Sequence, residues 1–297
     1  MKVGFVGYGE AGFELSKGLK KEGIKEIIVY DKIINNPEKK EVLISKAKEA
    51  DVFIVNDPKE VMKAVNIIFV AVPAQYSLVA CRELETEIDS NTVYVDVAAS
   101  SPQTKLNIES IVKERNGHYV DAAMLGPLTV HQHKVPIVAS GNGTKIFIEL
   151  MTPFGMAIQY ISEKAGDASS IKLLRSIYMK GTAALLVEVL EAAKYLKLEE
   201  QVIHSLKETM EESSFERLLN QLITGTSIHA ARRAHELEGS LDILRTYNLR
   251  SEMTNATKMK LEYISHLNLK QEWNDRRPKE WQTVIEKILT VNRGDFV

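Results

Sequence analysis

An apolar run, Val3-Gly4-Phe5-Val6, feeds directly into Gly7-Tyr8-Gly9-Glu10-Ala11-Gly12, and this junction restricts the fold more than anything else in the chain. Glycines at the first, third and sixth positions of a strand-to-helix turn have separate jobs. Gly7 permits the tight turn, Gly9 has no Cβ to hold a ligand off the backbone, and Gly12 lets the helix pack close to the strand. A helix beginning here presents unpaired N–H groups and a partial positive charge, which suit a pyrophosphate. The next apolar run, Glu26-Ile27-Ile28-Val29-Tyr30, ends in Asp31, about 20 residues past Gly12, where such folds hold a carboxylate for ribose hydroxyls. Asp31 serves either that role or as a strand-end cap. The ribose role repels a 2′-phosphate and favours NAD over NADP, with Lys32 offsetting part of the repulsion. The junction therefore predicts a dinucleotide, NAD or NADP, held by Gly7, Tyr8, Gly9, Glu10, Ala11, Gly12, Asp31 and Lys32.

Short runs rich in Val and Ile recur through the first half: Val3–Val6, Ile27–Tyr30, Val52–Val55, Ile67–Val72, Val93–Val97, His118–Val120 and Pro136–Ala139. Most lack polar alternation, as strands covered on both faces do. Helical periodicity fills the gaps, at Ala11, Leu15 and Leu19 and again from Val79 to Leu84. This alternation predicts an α/β class, a Rossmann-type doubly wound parallel sheet, over residues 1–163. Residues 164–297 then read as an all-helical domain, with helices over 167–196, 199–209, 211–223, 226–247, 252–267 and 278–290. Two domains joined by the long helix after Gly166 predict a ligand cleft.

Loops at the carboxyl ends of the strands add candidates, because ligands of open α/β sheets bind there. Val72-Pro73 closes the fourth strand, and Ala98-Ala99-Ser100-Ser101-Pro102 follows the fifth. Val72, Pro73 and Ala98 are candidate cofactor contacts and Ser100 a candidate substrate contact. Ser101 reads equally as a ligand contact or as a helix N-cap with Pro102 at the first helical position.

Composition narrows the partners. A formal net charge of -2 gives no reason to expect nucleic acid or an acidic membrane surface. No apolar run is long enough to span a bilayer, and Met1-Lys2-Val3 leads into a strand rather than a signal peptide. Cys81 is the single cysteine, so no intramolecular disulfide is possible and a cytoplasmic location is expected. Its neighbours Leu78, Val79 and Leu84 mark it as a small core residue. His131 and His133 lack further ligands at metal-site spacing, so they read as loop histidines and no metal is expected.

The order of motifs resembles the β-hydroxyacid dehydrogenase superfamily, which includes 6-phosphogluconate dehydrogenase. The resemblance rests on the glycine-rich start, Asp96–Pro102, Asp121–Pro127 and Gly166–Ser176, and spans nearly the whole chain. In the superfamily the third element holds the substrate carboxylate. Asp121, Ala122 and Gly126 match it, whereas Leu125 replaces a serine and Pro127 a glycine. Leu125 and Gly126 are therefore implied substrate contacts. The fourth element carries a lysine and, four residues on, an asparagine; here these are Lys172 and Ser176. The stretches Tyr178–Ala193 and His229–Glu236 look like a branch with a phosphogluconate-dehydrogenase-like C-terminal domain of uncharacterised function. The resemblance implies a homodimer paired through the helical domain.

Hydride transfer from an alcohol requires a base for the hydroxyl proton, and the reverse requires an acid. A lysine serves if its pKa is lowered, for which burial among Leu173, Leu174 and Ile177, with Arg175 or Lys180 nearby, is the expected cause. Lys172 is the implied proton-transfer group and Ser176 the group beside the reacting oxygen. Lys180 shares their helix face and is either an anchor for an anionic substrate group or a solvated charge. Arg233 either completes an anion site or belongs to a charged stripe in which Arg232 pairs with Glu236. The expected activity is NAD(P)-dependent oxidation of a small anionic hydroxy acid, or reduction of its aldehyde or keto acid. Imine- or opine-type reduction, and nucleotide sensing without turnover, are the alternatives.

Overall fold

The computed structural model describes residues 1–294. The chain divides into two compact units, Met1–Ile177 and a second that begins at Tyr178.

The first unit is built on an eight-stranded sheet of order β3-β2-β1-β4-β5-β6-β7-β8. Its strands are β1 (Lys2–Val6), β2 (Glu26–Tyr30), β3 (Phe53–Ile54), β4 (Ile67–Val70), β5 (Val93–Asp96), β6 (His118–Met124), β7 (Ile137–Ser140) and β8 (Ile158–Ser162). β1 lies between β2 and β4, both parallel to it, and the order reverses there as in doubly wound folds. Two features depart from the expected parallel sheet. β7 runs antiparallel to β6, and β8 adds an edge strand that the apolar runs did not reveal. The reason for the second is physical: β8 reads Ile-Gln-Tyr-Ile-Ser with no fully buried residue, as a half-covered edge does.

The central strands are buried on both faces. Val3, Phe5, Ile27, Val29, Phe69 and Val95 pack under α1 (Glu10–Lys21) with Leu15 and Leu19. Ile68, Val70 and Tyr94 pack on the other face with α3 (Pro58–Ala64), α4 (Ser77–Leu84) and α5 (Pro102–Glu114), where Cys81 is the expected small core residue. α2 (Lys40–Ala50), α6 (Leu128–His131) and α7 (Thr144–Met151) complete the layers. His133 lies in the short turn between α6 and β7. It is buried against α1, and a Cβ on Gly18 would stand 2.0 Å from its Nδ1.

The boundary between the units falls within α8 (Asp167–Leu196). The second unit continues with α9 (Glu199–Glu211), α10 (Phe215–Thr246), α11 (Glu252–His266), α12 (Leu269–Glu272) and α13 (Trp281–Gly294), and has no strand among the described residues. Glu188 is buried and caps α11, accepting from the N–H groups of Met253 and Thr254, each at 2.8 Å. One expectation is corrected here. The periodicity predicts a break between helices 211–223 and 226–247, but α10 runs unbroken through Gly225. Ala230, Ala234, Leu241 and Leu244 form its buried stripe, and that packing outweighs the poor helix propensity of one glycine.

Candidate active site

The glycine turn has the geometry its spacing predicts. Gly7 has φ +89°, and a Cβ there would lie 2.5 Å from Ala71 O at the end of β4. A Cβ on Gly12 would lie 2.4 Å from Gly7 O, so only glycine lets α1 approach the turn. Gly9 is different: nothing stands within 4 Å of its absent Cβ. That open flank, at a helix N-terminus with no side-chain cap, is where a pyrophosphate fits. Asp31 is fixed beside it. Its Oδ2 accepts from Tyr8 N–H at 2.6 Å and its Oδ1 from Ile33 N–H at 2.9 Å. The carboxylate thus braces the turn and caps the short helix over Lys32–Asn35. Val72 lies against Gly7, while Lys32 and Pro73 are exposed. The residues present fit the adenosine and pyrophosphate parts of a nicotinamide dinucleotide.

The next strands end in a buried charge cluster that the sequence reading missed. Lys105, on α5, is fully buried with Asp96 and Asp121. Its Nζ stands 2.9 Å from Asp96 Oδ1 and 3.4 Å from Asp121 Oδ1, and it donates to Ala98 O at 2.7 Å. Asp96 also accepts from Ala98 N–H and from the Tyr119 hydroxyl. Burial pushes the Asp96 carboxyl above its ordinary range, against the pull of Lys105. A signal was available: Lys105 shares the stripe of Ile108 and Val112 at helical spacing, an apolar position for a lysine.

Asp121 carries this cluster to α8. Its Oδ2 accepts from Gly166 N–H at 3.1 Å and Ser169 N–H at 2.9 Å, and its Oδ1 from the Ser169 hydroxyl at 2.7 Å. A carboxylate here satisfies first-turn donors and complements the helix dipole. The helix so anchored bears Lys172 and Ser176, both half-buried, one turn apart. Lys172 has no hydrogen-bond or ion-pair partner among the described residues, in contrast to Lys105. Its pKa is lowered, by burial first and then by the nearby Lys105 charge, with Asp121 pulling the other way. The burial is as expected, whereas the cation that adds to it is Lys105 rather than Arg175 or Lys180.

The other candidates are spread more widely. Ser100 is buried, and its Oγ has no hydrogen-bond partner among the described residues. Ser101 is the N-cap of α5, accepting from Thr104 N–H. Leu125 packs with Ala123, Val138 and Ala168, and Gly126 is exposed. Lys180 and Arg233 belong to the second unit, where Lys180 is exposed and Arg232 pairs with Glu236 at 2.7 Å.

A doubly wound sheet with this turn, and a free lysine beyond it, define the class: an NAD(P)-dependent oxidoreductase. Residues 2–147 match the NAD binding domain of 6-phosphogluconate dehydrogenase, and residues 193–264 match a domain of unknown function, DUF1932. The chain belongs to the family that joins these two domains, as its motif order predicts. It is 31% identical over 265 residues to an uncharacterised 28.5 kDa protein of the 7S RNA 5′ region of Methanothermus fervidus, spanning 89% of this chain and 99% of that one. A solved protein of unknown function, described as structurally similar to 3-hydroxyacid dehydrogenases, is 28% identical with a TM-score of 0.60, over 90% of this chain and 97% of its own. An imine reductase from Pseudomonas sp. shares the fold with a TM-score of 0.71 at 17% identity, over 97% of this chain and 99% of its own.

Proposed function

We propose that the protein moves a hydride between NAD(P) and a small hydroxy acid or its aldehyde or keto acid, with Lys172 transferring the proton. The observation that carries this reading is the contrast between two lysines: Lys105 is fully committed to buried carboxylates, while Lys172 beside it is uncommitted and has a lowered pKa. The bound nicotinamide supplies the hydride acceptor or donor. In oxidation, neutral Lys172 takes the hydroxyl proton as the carbonyl forms; in reduction, its ammonium returns that proton. Ser176, one turn on, orients the reacting oxygen. Ser100, Leu125 and Gly126 are the proposed substrate contacts.

Asp31, held by two backbone donors, supports a preference for NAD, since a 2′-phosphate would meet a fixed carboxylate. Exposed apolar side chains on the helical unit, Leu186, Val187, Ile203 and Met210 among them, support a homodimer formed through that unit. No described helix is long and apolar enough to cross a membrane, and the unpaired Cys81 supports a cytoplasmic location.

Imine reduction is the second reading. Leu125, in place of the superfamily's serine, leaves the loop after β6 without a hydroxyl for a carboxylate substrate. Retention of Lys172 weighs against it. The test is turnover of purified protein with NADH and NADPH against a panel of aldehydes, keto acids and imines, with Lys172→Ala alongside. Keto acid or aldehyde reduction that disappears in Lys172→Ala, with cofactor binding intact, supports the reading. Undiminished turnover in that variant overturns it, and cofactor binding without turnover across the panel favours a sensor.

A further inference from the structure

Two guanidinium groups meet over Gly225 in the helical unit. Arg233 lies two turns further along α10, and its Nη2 stands 3.1 Å from where a Gly225 Cβ would be. Arg277 comes from the segment between α12 and α13, and its Nη2 stands 3.7 Å from the same point. The two cationic ends are therefore less than about 7 Å apart, close enough to repel and to share one anion.

Each arginine is held by bonds that leave its charge unmatched. Arg233 Nη1 donates to Thr226 Oγ1 at 2.5 Å and to Leu222 O at 3.4 Å. Arg277 Nε donates to Thr224 Oγ1 at 2.8 Å, and its Nη2 to Gln221 O at 2.5 Å. All four acceptors are neutral oxygens. Among the described residues neither guanidinium has a carboxylate at ion-pair distance, although the adjacent Arg232 is paired with Glu236. The segment carrying Arg277 is itself docked on α10: Asn220 Nδ2 donates to Lys279 O, and Asn220 Oδ1 accepts from Trp281 N–H. Both forks are thus positioned in advance, with N–H donors to spare.

Gly225 completes the arrangement. Glycine inside a long helix is unfavourable relative to alanine, and no turn or positive φ demands it here. A methyl group would press on the Arg233 guanidinium at 3.1 Å.

We propose that Arg233 and Arg277, brought together over Gly225, form a binding site for a small oxyanion, a carboxylate or phosphate group. Planar guanidinium forks match the paired oxygens of such groups, which a chloride ion lacks. The site lies wholly in the helical unit and rests on nothing in the hydride-transfer reading, so either can fail alone.

The test is calorimetric titration of the full chain with inorganic phosphate and, separately, with succinate, at constant ionic strength in chloride. Saturable binding of one anion per chain is expected for at least one probe, weakened tenfold or more by Arg233→Gln or Arg277→Gln, and weakened by Gly225→Ala. Tighter binding of phosphate assigns the site to phosphate groups, and tighter succinate binding to carboxylates. Arg233→Lys and Arg277→Lys keep the charge and some bonds, and their helicity is checked by circular dichroism; they too are expected to bind more weakly, because lysine lacks the fork. Binding of neither anion above chloride, or unchanged affinity in both lysine variants, overturns the proposal.

Discussion

Lys105 Nζ stands 3.4 Å from Asp121 Oδ1 with both side chains excluded from solvent, and this contact ties the loop after β5 to the start of α8. On one side Lys105 holds Asp96 and the Ala98 carbonyl; on the other, Asp121 holds the Gly166 and Ser169 N–H groups. Lys105→Met leaves two buried carboxylates without their cation. Removing one partner of a buried ion pair costs about 3–5 kcal/mol, and urea denaturation of the variant is expected to show a loss of that order. Lys105→Met combined with Asp96→Asn should recover part of it, because only one carboxylate then lacks a partner.

The proposed role of Lys172 implies a pH dependence with a definite sign. Its pKa in the folded protein is below 10.5, so the neutral base is present at lower pH than for an exposed lysine. The oxidation rate should rise with pH through a midpoint below 10.5, and the reduction rate should fall through the same group. In Lys105→Met, loss of the nearby positive charge should move that midpoint upward. An unmoved midpoint would show that Lys105 does not act on Lys172 electrostatically.

Gly9 and Gly12 separate binding from folding. At Gly12 an added methyl meets Gly7 O at 2.4 Å, so Gly12→Ala should lower the melting temperature. At Gly9 the methyl meets no atom of the described residues within 4 Å, so Gly9→Ala should fold as the parent does. It should nonetheless lose NADH affinity by about tenfold or more, some 1.4 kcal/mol, as measured by fluorescence titration. Equal NADH affinity in Gly9→Ala and the parent would rule out the turn as the pyrophosphate site.

Asp31→Asn removes the charge while keeping an acceptor for Ile33 N–H. The ratio of kcat/KM for NADH to that for NADPH should fall about tenfold or more, since the fixed carboxylate no longer repels a 2′-phosphate. A ratio unchanged within error would leave Asp31 only its structural role of bracing Tyr8 and capping the helix after β2.

What was legible in the sequence was local. Gly7, Gly9 and Gly12 could be assigned separate jobs because each is fixed by short-range backbone geometry. The buried strands were visible as unbroken Val and Ile runs. β8 was not, because one covered face leaves a weaker pattern. The pairing of Lys105 is not legible because its partners come from two strands, β5 and β6, a relationship no spacing along α5 records. For the same reason the cation that acts on Lys172 is not legible: it is Lys105 on α5, not Arg175 or Lys180 on its own helix. The helices expected over 211–223 and 226–247 are joined in α10 because its tertiary contacts, which the local pattern does not record, carry it through Gly225. The bonds of Arg277 are not legible because Thr224 and Gln221, which hold it, are far away in sequence.

The helical unit leads to the last prediction. Leu185, Val189, Leu237 and Ile243 line an open apolar groove of about 570 Å³. Val187, Ile203 and Met210 are 66%, 51% and 55% exposed. A chain with this much apolar surface in water gains by covering it, at about 25 cal/mol per Å² removed from solvent. A second copy is the proposed cover, and sedimentation velocity at micromolar concentration should give the mass of a dimer. Val187→Glu with Ile203→Glu should shift the protein to monomer, because a charge buried at an interface without a partner is costly. Both positions are exposed within the protomer, so far-ultraviolet circular dichroism should be unchanged. A monomeric parent protein, or a double variant that stays dimeric, would place the contact elsewhere or remove it.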